Sequence, residues 1–202
     1  GNVTTTSATV CIRLIAPGLR IRLVVSPSPT LSPASLSTPE TSNVNASNFV
    51  SIDVDGLQPN TDYSYGFEVG GPLRTEAGSR GKFRTFPLGA ASFKIAFASC
   101  SDFRDPDQRA FDAIRAEQPL LFIHTGDLHY ADINSVNPDD YRRIYDLVLN
   151  HPSQGALYRS VPLAYMWDDH DFAGGDNSNG TAAGAAATRV AYRDSVPHYP
   201  IT

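Results

Sequence analysis

The segment LAYMWDDHDFAGGDN, residues 163–177, places four consecutive polar residues, DDHD, directly behind an apolar run. Such an apolar run predicts a buried strand, and four polar side chains cannot all reach solvent where a buried strand ends. Two other segments have the same form: FKIAFASCSD at residues 93–102 and LLFIHTGDLHYAD at residues 120–132. The sequence therefore predicts three buried strands that each end in a polar cluster.

Helical segments separate these strands. Asp105 before Pro106 and Asn137 before Pro138 are typical of helix starts, and residues 181–196 predict a further helix. Apolar strands that alternate with helices predict a parallel sheet covered on both faces. The three polar clusters then share the carboxyl edge of that sheet, which is where open α/β sheets bind their ligands.

Residues 1–87 follow a different pattern, in which short β-branched and aromatic stretches alternate with turns rich in Ser, Pro and Gly. This pattern predicts an antiparallel β-sandwich. The stretch DGLQPNTDYSYGFEV resembles the corner of a fibronectin type III domain, carried by Leu57, Pro59, Thr61 and Tyr63. We predict two domains: a fibronectin type III-like sandwich at 1–87 and an α/β domain at 88–202.

Composition limits the classes of partner. The net charge is −5, from 21 acidic and 16 basic residues, which argues against a nucleic-acid-binding surface. A phosphate-bearing substrate stays open, because bound cations can reverse the local charge. We expect no membrane span, since no apolar run approaches ~18 residues. The two cysteines, Cys11 and Cys100, could form one disulfide or remain free thiols.

The chemistry of the three clusters favours metal binding. Carboxylates crowded into a crevice either take up protons or bind cations, and the many oxygen donors favour one or more metal ions. A phenol such as Tyr130 ligates only beside a strongly Lewis-acidic ion. Cys100 as a ligand would indicate a transition metal, whereas the surplus carboxylates suit a hard ion such as calcium.

The segments FASC, GDLHYAD and WDDHDF resemble the PhoD-like alkaline phosphatases and phosphodiesterases, a branch of the calcineurin-like metallophosphoesterases. The resemblance implies a metallophosphoesterase fold for the α/β domain. It also implies hydrolysis of phosphate mono- or diesters by a metal-activated hydroxide, and an exported protein. The implied cofactors are ferric iron and calcium, with zinc or manganese as substitutes.

The resemblance also assigns roles to individual residues. Asp127 would bridge two metal ions, and His170 would help to stabilise or protonate the leaving oxygen of the substrate. Asp169 would be catalytic beside His170 and would face the calcium side. Which of Asp168, Asp169, Asp176 and Asn177 ligates stays open. The metal-binding set implied by the resemblance is Cys100, Asp127, Tyr130, Asp169 and Asn177.

The superfamily takes further ligands from Asp-x-His or Gly-x-His motifs, but the one histidine after His170 is His198, in VPHYP. We therefore expect a fragment with the first, βαβαβ half of the catalytic domain. That fragment would be inactive until the C-terminal half completes the site. The alternative is a non-catalytic binding or adhesion module stabilised by calcium, which gives no reason for Cys100, Tyr130 and His170 to join the acids.

Several residues also have purely structural interpretations. His124, inside a strand, is expected to be a core histidine, and Cys100 could be an inert buried thiol. Asp171 could cap its own turn rather than bind metal. Asp132 and Arg104 are expected at the rim of the crevice.

Overall fold

The computed structural model describes residues 1–36, 40–41, 47–176 and 180–199. Seven described strands lie in the first part of the chain: β1 Ala8–Arg13, β2 Arg20–Ser26, β3 Ser35–Leu36, β4 Glu40–Thr41, β5 Phe49–Val54, β6 Asp62–Val69 and β7 Arg80–Arg84. The second part contains β8 Ile95–Ala98, α1 Arg109–Ala116, β9 Leu121–His124, α2 Pro138–Asn150, α3 Pro152–Tyr158, β10 Leu163–Tyr165, α4 Asp169–Phe172 and α5 Ala185–Ser195.

The first part folds into two antiparallel sheets around one core. β1 pairs with β5, while β2 and β6 form the centre of the other sheet, with β3 and β7 outside them and β4 beside β2. Alternate residues of the strands, such as Ile21, Leu23 and Val25 of β2, join Ile52 of β5 in one buried cluster. The period of two places the apolar side chains between the sheets, as expected for stacked antiparallel sheets.

The corner at Tyr63 is closed by hydrogen bonds. The backbone N–H of Gln58 donates to the Tyr63 hydroxyl at 2.9 Å, and the Thr85 hydroxyl donates to the Gln58 carbonyl at 2.6 Å. Leu57 and Tyr63 are both buried in the core of the two sheets. The Tyr63 hydroxyl therefore ties the turn before β6 to the strand that follows it.

The predicted parallel sheet is present, with strand order β10–β9–β8. One face lies under α1, α2, α3 and α5, whose apolar residues share a core with Phe122 and Tyr165 of the strands. The β-sheet region contacts the same helices, through an ion pair between Arg13 and Asp146 and a bond from Lys82 N–H to the Arg159 carbonyl at 2.8 Å. A cavity of about 730 Å³ lies between the two parts.

The prediction that both sheet faces are covered is wrong for the described residues. Phe97 is 75% exposed, Met166 59% and Ile95 46%, because every helix that packs on the sheet lies on the opposite face. We call this uncovered side the open face; the strand register gives its members as Ile95, Phe97, Leu121, Ile123, Ala164 and Met166.

The two predicted helix starts have different outcomes. Asn137 caps α2 by accepting a hydrogen bond from Asp139 N–H at 3.1 Å, with Pro138 in the first turn, as predicted. The start at Asp105 is wrong, since α1 begins at Arg109. Asp105 instead accepts from Asp107 N–H at 2.8 Å in a local turn, a conformation that competes with helix formation.

The division into domains at residue 87 stays a prediction. In the described part of the chain, no helix is both long and apolar enough to cross a bilayer.

Candidate metal centre

The loops after β8, β9 and β10 meet at the carboxyl edge of the parallel sheet. Cys100 N–H donates to the Gly126 carbonyl at 3.2 Å, and Ser101 N–H donates to the Asp127 carbonyl at 2.8 Å. These bonds continue the pairing of β8 and β9 beyond the strands. The first and second polar clusters therefore lie side by side, as the parallel sheet predicted.

Backbone conformations at this edge are unusual. Cys100 has a φ of 59° and Asp127 a φ of 53°, in the left-handed region that side chains with a Cβ rarely adopt. Gly126 has a φ of 114°, and a Cβ placed on it would lie 2.5 Å from the Asp168 Cβ. Strained residues of this kind cluster at functional sites. The strain here directs Cys100 and Asp127 into the same crevice.

Asp127 lies at the centre of the cluster. Its Oδ2 accepts a hydrogen bond from the Tyr130 hydroxyl at 2.9 Å and lies 3.8 Å from the Cys100 Sγ. Its Oδ1 is buried and has no hydrogen-bond partner among the described residues, although only 5% of Asp127 is exposed. A buried carboxylate oxygen without a partner is strongly destabilising, and a bound cation would remove that cost.

The donor atoms fit a metal ion. Asp127, Asp169 and His170 each offer one ligand atom, and these atoms lie within 4.8 Å of one another. Carboxylate and imidazole donors suit several divalent and trivalent ions. Together with the unpartnered Oδ1 of Asp127, this arrangement indicates a metal site and leaves the identity of the metal open.

Tyr130 also contacts this group. The neighbouring Cys100 thiol, burial and the Asp127 carboxylate together raise the pKa of Tyr130. The phenol is therefore held in its neutral form by its negatively charged surroundings. A cation at Asp127 would reverse that local charge, and only then could the phenolate become a ligand.

His170 is held by an acid that sequence reasoning placed only at the rim. Its Nδ1 lies 2.6 Å from Asp132 Oδ1, and its Nε2 lies 3.5 Å from Asp176 Oδ1. The hydrogen bond with Asp132 raises the pKa of His170 and lowers that of Asp132, which favours the ion pair. The His170 ring also lies against Tyr130, with centroids 4.3 Å apart.

Asp168 and Asp171 have structural partners. Asp171 accepts hydrogen bonds from Leu128 N–H at 2.7 Å, the Tyr165 hydroxyl at 2.6 Å and Asp168 N–H at 2.6 Å. Asp168 caps α4, completing a capping box with Asp171. Burial raises the pKa of Asp171 to about 6. The capping interpretation of Asp171 is therefore confirmed, and its side chain joins the second loop to the third.

A buried polar network behind Asp127 was missed by sequence reasoning. Ser101 Oγ lies 3.1 Å from His124 Nε2 and accepts from Gln154 Nε2 at 3.2 Å, while it also reaches the Leu128 carbonyl at 3.0 Å. His124 is buried, as expected, and burial lowers its pKa to about 4. Gln154 lies on α3, far away in sequence, and no local pattern relates it to the second motif.

The remaining predicted residues have different outcomes. Cys100 is exposed, so the buried-thiol interpretation is wrong, and neither cysteine forms a disulfide. Arg104 lies at the rim, where it pairs with Asp102 at 2.8 Å. Asn177 falls outside the described residues. The metal-binding and catalytic roles of Cys100, Asp127, Tyr130, Asp169 and His170 stay predictions, although the structure brings all five side chains to one crevice.

Comparison with known proteins agrees with this geometry. A family model described as PhoD-like phosphatase matches residues 95–195, half of the chain.

The chain belongs to the PhoD-like phosphatase family.

Within that family, alkaline phosphatase D of Bacillus subtilis strain 168 is 27% identical over 142 residues, covering 60% of this chain and 24% of that protein. A solved structure of PhoD superposes with a TM-score of 0.83 at 22% identity, over 98% of this chain and 44% of that chain.

The purple acid phosphatase PPD1 from yellow lupin (Lupinus luteus) seeds has a TM-score of 0.62 at 13% identity, over 95% of this chain and 39% of its own. These two structures show that the chain has a metallophosphoesterase fold. The chain spans about a quarter of the length of the curated relative and less than half of either solved structure.

Proposed function

We propose that this chain carries part of the active site of a metal-dependent phosphoesterase that hydrolyses phosphate monoesters, diesters or both. The observation that supports it most directly is Asp127, whose buried Oδ1 has no partner in the described part of the chain, while Asp169 and His170 offer ligand atoms close by. The similarity to alkaline phosphatase D points to the same reaction class.

The donor set suggests which metal ions would bind. Asp127, Tyr130 and Cys100 combine a carboxylate, a phenol and a thiol, a set that suits ferric iron. Asp169, with Asn177, would provide hard oxygen ligands for calcium. Zinc or manganese are alternative occupants of the same donors. When bound, such ions would offset the charge of the phosphate and lower the pKa of an attacking water.

The residues of this chain would then position and protonate the substrate. The hydrogen bond with Asp132 holds the His170 ring through Nδ1 and raises the pKa of His170, which favours the protonated imidazole, and its Nε2 lies 3.5 Å from Asp176 Oδ1. A protonated imidazole there can stabilise the leaving oxygen and transfer a proton to it. Asp169, one residue before His170, would offer a carboxylate oxygen to the metal.

We further propose that the β-sheet region is a fibronectin type III-like domain, supported by the two antiparallel sheets and the Tyr63 corner. Members of the family with this arrangement would act outside the cytoplasm, and we propose export for this protein as well. We also propose that this chain is a fragment. Residues beyond it would complete the metal centre, and residues 1–202 alone would have little or no activity.

The test is Asp127→Asn in the full chain as its gene encodes it, with a generic phosphomonoester and a phosphodiester as substrates. We expect loss of nearly all hydrolysis of both, because the central metal-binding carboxylate is lost. Asp107→Asn is the matched control, since Asp107 is exposed and forms an ion pair with the exposed Arg109. Rates near wild type for Asp127→Asn would sink the proposal.

A metal analysis separates this function from the calcium-stabilised binding module. Iron, with the absorption band of a tyrosinate ligand that disappears in Tyr130→Phe, would support the phosphoesterase. Calcium as the sole bound metal, without hydrolysis of either substrate, would support the binding module instead. The contacts of Tyr130 and Cys100 with Asp127 favour the first result.

A further inference from the structure

Ser101 lies behind the metal centre, where four hydrogen-bonding groups surround its hydroxyl. The Oγ atom is 3.0 Å from the Leu128 carbonyl oxygen and 3.3 Å from the Asp127 carbonyl oxygen. On the other side, Gln154 Nε2 lies at 3.2 Å and His124 Nε2 at 3.1 Å. Because Ser101, His124 and Gln154 are all buried, these groups pair with one another rather than with bulk water.

The single proton of the Ser101 hydroxyl decides how these groups can pair. A hydroxyl donates one hydrogen bond and accepts two, whereas a backbone carbonyl only accepts. The proton of Ser101 must therefore point toward the carbonyls of Asp127 and Leu128, and both lone pairs of its Oγ accept. Gln154 Nε2 is an amide nitrogen that only donates, so the remaining lone pair takes a hydrogen bond from His124 Nε2–H.

The surroundings of His124 agree with a proton on Nε2. Its Nδ1 is buried and has no hydrogen-bond partner among the described residues, whereas its Nε2 faces the Ser101 hydroxyl. Burial lowers the pKa of His124 to about 4, so the ring carries one proton at neutral pH. That proton is thus placed on the nitrogen that has an acceptor in front of it.

Ser101 also holds one end of the peptide unit between Asp127 and Leu128. The Asp127 carbonyl accepts from the Ser101 N–H at 2.8 Å, in addition to its contact with the hydroxyl. The Leu128 N–H, at the other end of the same peptide unit, donates to Asp171 Oδ2 at 2.7 Å. The peptide plane is fixed at its oxygen and at its nitrogen, which keeps Asp127 at its left-handed φ of 53°.

We infer that Ser101 is a positioning residue of the metal centre: its hydroxyl accepts from the Nε2–H tautomer of His124 and orients the carboxylate of Asp127 toward the metal site. The inference deepens the proposed function and rests on its metal centre. Ser101 offers no ligand atom itself, since its proton and both lone pairs are used behind the crevice. Removing a group that orients a metal ligand typically weakens metal binding by about 10- to 100-fold.

The Zn²⁺ affinity of the full encoded chain tests this role. Ser101→Ala removes the hydroxyl and keeps the backbone N–H, and we expect the affinity to fall at least about 10-fold in calorimetric titration of the metal-free protein. Thr85→Val is the matched control, because Thr85 is fully buried and its hydroxyl donates to the Gln58 carbonyl at 2.6 Å in the β-sheet region. Both variants should lower the midpoint of unfolding in urea, but Thr85→Val should keep the Zn²⁺ affinity within about 3-fold of wild type.

Two results of this titration would overturn the inference. Wild-type Zn²⁺ affinity in Ser101→Ala, beside a lower midpoint in urea, would make Ser101 a residue of the fold alone. An equal loss of affinity in Ser101→Ala and Thr85→Val would lead to the same conclusion, because lost stability would then account for both.

The tautomer of His124 is a second test, which does not depend on whether Ser101→Ala folds. ¹⁵N NMR of the histidine-labelled, metal-free chain at neutral pH distinguishes a protonated ring nitrogen from an unprotonated one. The signals of His124 are those that disappear in His124→Gln. We expect the proton on Nε2. A proton on Nδ1 would overturn the inference, because Nε2 would then accept the Ser101 proton that the two carbonyls need.

Hydrolysis of a phosphomonoester and a phosphodiester by the wild-type chain is measured in parallel, so that the two proposals can fail separately. An active wild type, with unchanged Zn²⁺ affinity in Ser101→Ala, would keep the phosphoesterase and reject the positioning role. A wild type that hydrolyses neither ester, with the affinity reduced in Ser101→Ala alone and Nε2 protonated, would keep the positioning role and reject the phosphoesterase.

Discussion

Asp127 and Asp171 follow neighbouring strands and are both buried, yet their surroundings differ. Asp171 accepts three hydrogen bonds, from Leu128, Tyr165 and Asp168, within the fold itself. Asp127 accepts from Tyr130 through one oxygen, while its other oxygen has no partner among the described residues. One carboxylate is satisfied by neighbouring donors, and the other keeps one oxygen without a partner among the described residues.

This difference shows why the number of acids in a motif does not give the number of metal ligands. The DDHD run contains three carboxylates, but Asp168 and Asp171 hold each other in a capping box, and Asp169 is the one that offers a candidate ligand atom beside Asp127 and His170. The acids with backbone and hydroxyl donors maintain the shape of the crevice. Asp127, whose Oδ1 has no partner among the described residues, is the acid expected to bind a cation.

The largest expected effect concerns metal affinity. Asp127→Asn in the full encoded chain should weaken binding of Zn²⁺, used as a probe ion, by at least about 100-fold, because a buried charged ligand is lost. The folded state should tolerate the change, since the buried charge lacked a full set of partners. Calorimetric titration measures the affinity, and denaturation in urea measures the stability. A large loss of stability with unchanged Zn²⁺ affinity would mean that Asp127 is a structural acid, as Asp171 is, and not a metal ligand.

Asp171→Ala should mainly lower the stability of the fold, whereas Asp127→Asn should mainly lower the Zn²⁺ affinity. Two buried donors and one partly buried donor would lose their acceptor, which we expect to lower the free energy of unfolding by about 3 kcal/mol, as measured in urea. Asp107→Ala, at an exposed site, should leave the unfolding midpoint unchanged. A loss below about 1 kcal/mol for Asp171→Ala would mean that the loops do not depend on this carboxylate.

The buried network behind Asp127 predicts a pH dependence. The pKa of His124 is lowered from 6.5 to about 4 by burial, so the unfolded chain binds the proton more readily between these values. Stability should therefore fall as pH decreases from about 6.5 to about 4, by about 3 kcal/mol for this one group. His124→Gln should make the fall in the unfolding free energy with pH shallower. An unchanged slope would show that His124 is already neutral in the unfolded chain or protonated in the fold.

The smallest loss of stability is expected at Asp168, the N-cap of α4. Asp168→Ala removes the hydrogen bond to Asp169 N–H at 3.0 Å and should lower the free energy of unfolding by about 1 kcal/mol. The Zn²⁺ affinity should stay within about 3-fold of wild type, because α4 is also held by Asp171. A fall as large as that of Asp127→Asn would identify Asp168 as a ligand.

Much of the site could be predicted because it follows from strand ends. An apolar run followed by Gly126 and Asp127 indicates both the sheet edge and a desolvated carboxylate, and the parallel order of the strands brings Cys100 and Asp169 beside it. The contact of Asp132 with His170 could not be predicted, because it depends on how two loops turn after leaving the sheet. The start of α1 was missed for a related reason: Asp105 can cap a helix or close a local turn, and the choice depends on Gln108 and its neighbours.

The open face was beyond sequence reasoning for another reason. An apolar strand indicates that its side chains avoid water, but the pattern does not say whether a helix of the same segment or another part of a protein covers them. Phe97 and Phe122 have similar sequence contexts and opposite environments.

Gly126 has a further consequence for the choice of ion. A Cβ at position 126 would lie 2.5 Å from the Asp168 Cβ. The loops after β9 and β10 can therefore approach this closely because residue 126 is a glycine, which has a hydrogen atom in place of a Cβ. In the proposed metal centre, the gap between these loops would set the distance between Asp127 and Asp169, and that distance would have to match the radius of the bound ion. A residue that offers no ligand atom would thus help to decide between a small and a large cation.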